Sequence, residues 1–310
     1  MPSPIALALH GGAGTMRRAE LGPQREALYR AGLEAALEAG HAVLRQGGAA
    51  LDAVTAAVCV LEDDAFFNAG RGSVFNEQGF IEMEAAVMDG LTRRAGSVTG
   101  LRRVRHPVLA ARRVMECTSH VTLGFEAAEA FARDQGLALE PEGWFHTESR
   151  WQALQAELER RRQGGSDAGV SEAQKHGTVG AVALDAAGAL AAATSTGGRT
   201  AKMAGRIGDT PVIGAGTWAD LRVAVSGTGL GEAFMRTVAA HDIAARMAYA
   251  GASLHEACDA VVRRELPRWG GSGGVVAVDA QGRVATPFNC EGMYRAAVDG
   301  AGHRVVAIFQ

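Results

Sequence analysis

The amino-acid sequence predicts an α+β fold, in which helices pack on antiparallel sheets. Residues 179–184 and 190–194 are apolar runs on either side of a short loop, and residues 275–278 and 284–287 repeat this hairpin pattern. Helical periodicity dominates the first half of the chain, whereas strands dominate after residue 178. Because hairpins join antiparallel strands, this order favours α+β over a doubly wound parallel sheet.

The first elements follow from glycine positions and apolar periodicity. An apolar strand at residues 5–9 is predicted to stop at a glycine turn, residues 10–14. Helices are predicted at residues 24–45 and 51–61, and two glycines end the first of them. Residues 66–89 break the helical pattern, and their alternation of apolar and polar side chains indicates one or two strands.

The remaining elements surround one polar segment. Residues 163–175 are mostly small and polar, which predicts an exposed, flexible segment. Before it, helices are predicted at residues 108–115, 125–135 and 151–158. Beyond the first hairpin, strands are predicted at residues 212–213, 223–226 and 304–309, and helices at residues 232–249 and 254–264.

Composition and charge exclude several classes of protein. The 310 residues are 47% hydrophobic and 21% charged, as in globular proteins, and no apolar run approaches the ~18 residues of a membrane span. The formal net charge of −3 is unlike the basic footprint of a nucleic-acid-binding protein. Four scattered cysteines form no disulfide scaffold, and the N-terminus lacks the basic region of a signal peptide, so a cytoplasmic protein is expected.

A nucleophile is predicted where the polar segment meets the first hairpin. There Gly177 precedes Thr178, which stands at the start of a buried strand. If the chain were cut between them, Thr178 would carry a free α-amine with a pKa of about 7.7–8.0, a suitable base for its own hydroxyl. The alternative from these residues alone is a loop between two domains.

A second hydroxyl group is predicted to lie near the first. Thr196 follows the second strand of the hairpin, and the start and end of a hairpin are neighbours in space. Thr196 is therefore expected close to Thr178. The alternative is a glycine-rich turn capped by hydroxyl groups.

Two further loops carry groups that could bind a ligand. Arg206 and Asp209, framed by glycines, could bind the carboxylate and ammonium of a zwitterion, or form an ordinary surface ion pair. Residues 226–232 join a strand to a helix, and backbone amides in such a turn suit an anion or oxyanion. A nucleotide-phosphate loop is the competing interpretation, although the glycine spacing does not fit it.

Metal sites are weakly indicated. Glu82, Glu84 and Asp89 could gather on one face of a strand, but charged side chains there usually face water. The acidic run 62–64 could bind a hard cation, yet a solvated helix end is the expectation.

Taken together, these motifs resemble one family over nearly the whole chain. HGGAG, FNAGRGSVF, AAVMDG, HGTVGAVALD, TSTGGRTAKMAGRIGDTPVIGAGTWA and VAVSGTGLGEAF occur in this order. The sequence resembles the plant-type L-asparaginase/isoaspartyl aminopeptidase family of N-terminal-nucleophile hydrolases. The resemblance is weakest at residues 136–175.

The resemblance implies a fold and an assembly. The expected architecture is a single αββα sandwich of four layers over residues 1–310. The chain is expected to cut itself between Gly177 and Thr178 into an α subunit, 1–177, and a β subunit, 178–310, with residues 163–177 as the flexible segment before the cut. Two such units are expected to pair as (αβ)2.

The resemblance also implies an activity, the hydrolysis of L-asparagine and β-aspartyl dipeptides, without a catalytic cofactor. It assigns catalysis to Thr178 and places Arg206 and Asp209 on the α-carboxylate and α-amine of the substrate. The other residues that it implicates in catalysis or substrate binding are Asn68, Thr196, Thr228, Gly229 and Gly231. A structural sodium ion is expected on main-chain carbonyl groups of Leu61, Glu62, Asp64, Phe67, Ala69 and Arg71.

Two departures from the family pattern leave alternatives open. Gly227 stands where many relatives have cysteine or threonine, which could loosen the turn. Leu230 replaces a polar residue near the substrate, which leaves the fine specificity open. Glycosylasparaginase and a threonine aspartase share this fold and the same kind of threonine nucleophile, but they typically carry aspartate where this chain has Gly177. An uncleaved protein that binds aspartate and a nucleotide-binding protein are the remaining alternatives.

Overall fold

The computed structural model describes residues 4–14, 21–165 and 177–310. Most of the predicted flexible segment, residues 163–177, therefore lies outside the described residues. Among the residues described, no helix is long and apolar enough to cross a membrane. The expected cytoplasmic location stays a prediction.

Twelve strands are found in the described part of the chain, together with helices that occur in two blocks. The strands are β1 (Ala6–Gly14), β2 (Met83–Asp89), β3 (Ala95–Leu101), β4 (Thr122–Gly124), β5 (Val179–Leu184), β6 (Leu190–Thr196), β7 (Thr217–Ala219), β8 (Val223–Gly229), β9 (Gly273–Asp279), β10 (Val284–Ala285), β11 (Gly292–Val298) and β12 (Arg304–Ala307). The first block of helices is α1 (Pro23–Arg45), α2 (Ala50–Asp63), α3 (Pro107–Cys117), α4 (Phe125–Asp134), α5 (Glu142–Phe145) and α6 (Glu148–Arg162). The second is α7 (Gly231–Thr237), α8 (Ala239–Tyr249), α9 (Leu254–Asp259), a π-helix (Ala260–Glu265) and α10 (Leu266–Arg268).

Two stacked sheets form the centre of the molecule. The larger has eight strands in the order β12-β11-β1-β5-β6-β2-β3-β4, and the smaller has the order β10-β9-β8-β7. Helices α2 and α3 pack on the outer face of the large sheet, and α8 packs on the small one. The predicted α+β class and its αββα layering are confirmed.

The two hydrophobic cores lie on opposite faces of the large sheet. Successive side chains of a strand point to opposite faces. Accordingly Leu7 and Leu9 belong to the core beneath α1 and α2, whereas Ala6 and Ala8 belong to the core shared with the small sheet. Small alanines on the inner face let the two sheets approach closely, which encloses the polar groups at their ends.

The large sheet mixes strands from before and after residue 177. Strand β1 lies between β11 and β5, and β6 pairs with β2. These pairings hold the two halves of the sequence in one hydrogen-bonded sheet. Both predicted hairpins, β5–β6 and β9–β10, are present and antiparallel.

Several predicted elements differ from the structure. Strand β1 continues through the glycines to Gly14 instead of turning, with a bulge between His10 and Gly12. Residues 212–213, predicted as a strand, do not belong to any of the twelve strands. The helix predicted at 232–249 is broken at Val238, whose φ of 49° is left-handed, and the helix predicted at 254–264 passes into a π-helix. Strands β3, β4, β7 and β11 were not predicted.

Candidate active site

Thr178 and Thr196 lie side by side at the ends of neighbouring strands. Thr178 directly precedes β5, and Thr196 is the last residue of β6 rather than lying beyond it. The Thr178 hydroxyl donates to the Thr196 hydroxyl oxygen at 3.1 Å. Thr196 in turn donates to the carbonyl oxygen of Gly177 at 3.0 Å. Both threonines are buried, so the peptide bond between Gly177 and Thr178 lies in an enclosed polar site.

Asn68 supplies a second donor to the same carbonyl oxygen. Its Nδ2 donates to Gly177 O at 2.7 Å and to Gly198 O at 2.7 Å. Its Oδ1 accepts a hydrogen bond from the amide of Val74 at 2.9 Å, which fixes the orientation of the side chain. The Gly177 carbonyl is therefore polarised by two side-chain donors that neighbouring groups hold in place.

The glycines of β1 pass over this peptide bond. Gly12 has a φ of 112°, and a Cβ placed on it would lie 3.1 Å from Gly177 Cα and 3.4 Å from Thr178 N. A residue with a side chain would be strained in this conformation and would press on the bond. The glycine run thus lets backbone approach backbone at the predicted cleavage site.

His10 lies behind Thr178 and was not predicted to take part in the site. Its Nδ1 lies 2.9 Å from Thr178 O, and because a carbonyl only accepts, Nδ1 carries the proton. Its Nε2 accepts from the Ser226 hydroxyl at 2.9 Å, and Ser226 Oγ lies 2.8 Å from Thr194 Oγ1. Burial lowers the pKa of His10 to about 3, despite the bond to Thr178, so the imidazole is neutral. Its only sequence signal is its place before the glycine run.

Thr228 and Gly229 end β8 opposite the glycines of β1. Thr228 Oγ1 accepts from the amide of Ala13 at 3.2 Å and is fully buried. Gly229 faces Gly273 on β9, and a Cβ on Gly229 would lie 2.8 Å from Gly273 Cα. Glycine is therefore needed here for the strands to pair. The oxyanion site predicted for residues 226–232, which include Thr228 and Gly229, stays a prediction.

Gly227 lies in a strand and not in a turn, so the loosening considered from the sequence does not arise. It lies inside β8, paired with Val275, and the ring of Phe234 occupies the space where its side chain would be, with Cε1 2.7 Å from a built Cβ. Leu230 donates its amide hydrogen to Ser272 O at 2.9 Å and packs against the core that the large sheet shares with the small sheet. The effect of Leu230 on specificity stays a prediction.

Arg206 forms an ion pair with a residue that was not singled out. Its Nε and Nη2 lie 3.1 and 3.0 Å from Glu232 Oε1, on the first turn of α7. Arg206 therefore does not form the surface ion pair with Asp209 that was the alternative. Burial would raise the pKa of Glu232, but the charges of Arg206 and Arg199 outweigh it and leave that pKa below its usual value.

Asp209 is buried with an unused oxygen. It is 6% exposed, and its Oδ2 has no hydrogen-bond partner in the described part of the chain. Burial raises the pKa of Asp209 to about 7, against the opposing charge of Arg206. A buried carboxylate oxygen without a donor is the arrangement that an ammonium group would complete.

Gly231 leaves a small space in which these two groups meet. A Cβ on Gly231 would lie 2.8 Å from Arg206 Nη2 and 2.8 Å from Asp209 Oδ1. A cation and an anion therefore face the same space, whose size depends on the missing side chain. This arrangement suits a small zwitterion, which carries one carboxylate and one ammonium group.

Glu84 connects this loop to the strand of Thr196. It lies opposite Thr196 in the β2–β6 pairing and is 1% exposed. Both of its oxygens lie 3.1 Å from the amide of Gly208, which fixes the loop between Arg206 and Asp209. Burial raises the pKa of Glu84, opposed by the charges of Lys202 and Arg206. The expectation that this carboxylate faces water was wrong, because the loop that covers it lies far away in sequence.

The other predicted acidic groups are also used within the protein. Glu82 accepts from the amide of Gly205 at 3.1 Å, and Asp89 caps a turn by accepting from the amide of Leu91 at 2.9 Å. The helix end at Glu62 is not solvated, because that side chain is fully buried.

The loop expected to bind sodium brings main-chain carbonyl oxygens close to its own glycines. A Cβ on Gly70 would collide with the carbonyl oxygen of Glu62, and one on Gly72 would collide with those of Phe67 and Ala65. Carbonyl oxygens are ligands that hard cations prefer, so the loop offers the type of ligand that a main-chain sodium site would need. The predicted set, Leu61, Glu62, Asp64, Phe67, Ala69 and Arg71, stays a prediction.

The Glu62 side chain would not be among the ligands of that sodium ion. Its Oε1 accepts from the Ser195 hydroxyl at 2.6 Å and from the amide of Val108 at 3.0 Å. Its ligand atoms lie within 4.8 Å of those of Cys59 and His106, but these hydrogen bonds already satisfy the carboxylate. Glu62 therefore ties α2 to β6 beside Thr196.

Comparison with known proteins gives a consistent result over the full length of the chain. Residues 3–308 match the model of the family described as asparaginase. The chain is 51% identical to the isoaspartyl peptidase of Salmonella typhimurium, covering 94% of each sequence. It is 44% identical to the isoaspartyl peptidase/L-asparaginase of Xenopus laevis, covering 94% of this chain and 91% of that protein.

A plant relative extends the match. The probable isoaspartyl peptidase/L-asparaginase 2 of Arabidopsis thaliana is 39% identical, with 98% of this chain and 99% of that protein covered. The resemblance noted in the sequence is thus confirmed over nearly the whole chain. The chain belongs to the asparaginase family of hydrolases.

Proposed function

We propose that this protein cuts itself before Thr178 and then hydrolyses β-aspartyl dipeptides and L-asparagine. The observation that carries the proposal is the Gly177 carbonyl oxygen, which accepts hydrogen bonds from both Asn68 and Thr196. Two donors on one carbonyl oxygen form an oxyanion site, and the hydroxyl of Thr178 is hydrogen-bonded to one of them.

Self-cleavage follows from this hydrogen-bond direction. The Thr178 hydroxyl gives its proton to Thr196 as its oxygen attacks the Gly177 carbonyl carbon, and Thr196 passes its own proton to the Gly177 carbonyl oxygen, while Asn68 stabilises the charge that develops there. The bond from the tetrahedral carbon to the Thr178 nitrogen then breaks as the new hydroxyl returns its proton, through Thr196, to that nitrogen, which leaves an ester. Water hydrolyses the ester to give the Gly177 carboxylate and restore the Thr178 hydroxyl.

The freed α-amine then acts as the base for substrate hydrolysis. It accepts the proton of the Thr178 hydroxyl, whose oxygen attacks the side-chain carbonyl of the substrate. Thr228 and Gly229 hold the oxyanion, a contribution of about 3–4 kcal/mol per good donor. Ammonia or an amino acid leaves with a proton, and water hydrolyses the aspartyl ester to L-aspartate.

Substrate selection rests on the space in front of Gly231. Arg206 and Asp209 face it with opposite charges and match the α-carboxylate and α-amine of an aspartyl group. Because the aspartyl group is held by both charges, substrates without either one are expected to bind weakly.

The two products of self-cleavage are expected to stay together. Strand β1 would belong to the first and lies between β5 and β11 of the second. Separating them would break the centre of the large sheet. Pairing into (αβ)2 and the structural sodium ion remain predictions, which light scattering and metal analysis of the purified protein would measure.

Intact mass followed by activity assay tests the proposal. The purified protein is expected to give chains 1–177 and 178–310 and to release aspartate from β-aspartyl-alanine. Thr178→Ala should remain one chain without activity. A stable uncut wild-type chain that still binds aspartate would replace the hydrolase with a binding protein, and a preference for glycosylated asparagine would favour a glycosylasparaginase.

A further inference from the structure

A charged groove borders the pocket in front of Gly231. It is lined by Glu77, Arg199, Thr200, Lys202, Arg206 and Glu232, among others. Arg206 also borders the space in front of Gly231, so the groove and the pocket share a wall. A ligand that filled the pocket could extend into the groove.

Arg199 is poorly matched by the described protein groups around it. Lys202 donates to the Glu82 carbonyl oxygen at 2.7 Å, and Arg206 is paired with Glu232. Arg199 approaches Glu232 Oε2 only to 3.9 Å, too far for a hydrogen bond, although its side chain is just 21% exposed. A guanidinium has five N–H donors, and enclosing them without acceptors is unfavourable. The side chain is thus suited to an acceptor from a ligand.

The backbone of Arg199 is directly connected to the network around the nucleophile. The preceding residue, Gly198, donates its amide to Thr196 Oγ1 at 2.9 Å and accepts from Asn68 at 2.7 Å. Arg199 therefore starts one residue away from the groups that surround Thr178. A group attached to the reacting carbonyl lies within reach of such a long side chain.

The two proposed types of substrate differ in the leaving group that hydrolysis releases. Asparagine releases ammonia, whereas a β-aspartyl dipeptide releases an amino acid that carries its own α-carboxylate. Six covalent bonds separate the two carboxylate carbons of such a dipeptide, which allows a span of about 7.5 Å. Arg206 and Arg199 approach the two oxygens of one Glu232 carboxylate at 3.0 and 3.9 Å, so their nearest nitrogens lie within about 9 Å. The two guanidinium groups can therefore hold both carboxylates of one dipeptide.

We propose that Arg199 binds the α-carboxylate of the leaving amino acid and so selects β-aspartyl dipeptides over substrates that lack this group. The inference rests on the proposed function, since it names a subsite of the same reaction. Glu232, between Arg199 and Arg206, separates the two carboxylate sites and keeps the guanidinium groups from repelling each other.

Three substrates and one substitution test the proposal. The cleaved enzyme is assayed with β-aspartyl-alanine, with β-aspartyl-alanine amide, which has no terminal carboxylate, and with L-asparagine. In the wild type, kcat/KM for the acid should exceed that for the amide by about tenfold, the size of one charge-assisted hydrogen bond. Arg199→Gln should lose about tenfold on the acid, mainly through KM, and stay within about twofold on the amide and asparagine.

Other outcomes overturn it in different ways. An equal loss on all three substrates would give Arg199 only a structural role through Glu232, and no loss on the acid would remove the subsite. Arg199→Lys, which keeps the charge but not the planar fork, should retain part of the preference for the acid. Arg263→Gln, an exposed arginine paired with Asp259, controls for net charge. If the wild type hydrolyses none of the three substrates, the proposed function itself fails, and the subsite with it.

Discussion

The hydroxyl oxygen of Thr196 is hydrogen-bonded on both sides of one peptide bond. It accepts from the Thr178 hydroxyl at 3.1 Å and donates to the Gly177 carbonyl oxygen at 3.0 Å. The amide of Gly198 also donates to it at 2.9 Å. Because the Gly177 carbonyl can only accept, the single proton of Thr196 goes to that carbonyl, and Thr178 is the donor in the remaining bond. The attacking group and the attacked carbonyl are therefore linked through a single side chain.

Thr196→Val should slow self-cleavage while the fold is kept. Valine has nearly the shape of threonine but can neither accept the Thr178 proton nor donate to Gly177 O. Loss of one oxyanion donor costs about 10²–10³ in rate. The measurement is the uncut fraction over time by intact mass. Thr196→Ser keeps the hydroxyl and should cleave far faster than Thr196→Val, and wild-type cleavage of the valine variant would remove Thr196 from the mechanism.

Gly231→Ala should block substrate binding without preventing self-cleavage. The added methyl would lie 2.8 Å from both Arg206 Nη2 and Asp209 Oδ1, in the space that the aspartyl group needs. The expected result is a rise in KM of at least about tenfold, because overpacking and lost ionic contacts each exceed 1 kcal/mol. Gly143→Ala, with no atom within 4 Å of a built Cβ, is the matched control. An unchanged KM would place the aspartyl group elsewhere.

The sequence predicts the residues at the cleavage bond better than it predicts the buried side chains that hold them in place. The residues that approach the cleavage bond stand in glycine- and hydroxyl-rich motifs, which have local signatures. Glu84 has none, and His10 has only its place before the glycine run, because their partners, the Gly208 amide and Ser226, are far away in sequence. Alternation alone assigned Glu84 to solvent, and only the covering loop reverses this. Likewise, helical periodicity cannot reveal the break at Val238.

Binding of L-aspartate to the cleaved enzyme should strengthen as the pH rises toward 7. The pKa of Asp209 is raised to about 7, so below this value the carboxyl must lose a proton before it can pair with an ammonium group. Apparent affinity should therefore be about tenfold weaker at pH 6 than its plateau and about a hundredfold weaker at pH 5. Calorimetric titration across pH 5–8 measures this.

Two controls assign that dependence to Asp209. The charged groups that influence it are Arg206, Glu84 and Glu232. Glu84→Gln removes a neighbouring negative charge, so the midpoint should move to lower pH. Succinate has no amine, so its binding should not strengthen over the same range. Aspartate affinity that is flat from pH 5 to 7 would contradict an ammonium site at Asp209.

His10 and Asp209 should influence stability in opposite directions between about pH 4 and 6.5. Folded Asp209 keeps its proton up to about pH 7, whereas the unfolded carboxyl loses it near 3.8, so its contribution to stability falls as pH rises. Folded His10 stays neutral down to about pH 3, whereas the unfolded imidazole is protonated below 6.5, so its contribution rises with pH. Each proton corresponds to a slope of about 1.4 kcal/mol per pH unit, and the two largely cancel.

Removing either group should reveal the effect of the other on the pH dependence of the free energy of unfolding. In a Thr178→Ala background, which keeps one chain, Asp209→Asn should make the free energy of unfolding rise more steeply with pH than in the parent, by up to about 1.4 kcal/mol per unit. His10→Gln should make it fall with pH relative to the parent by a similar amount. Urea unfolding at pH 4.5, 5.5 and 6.5 gives the slopes. Slopes that shift in the same direction in both variants would show that one of these groups is not held in the protonation state that its burial implies.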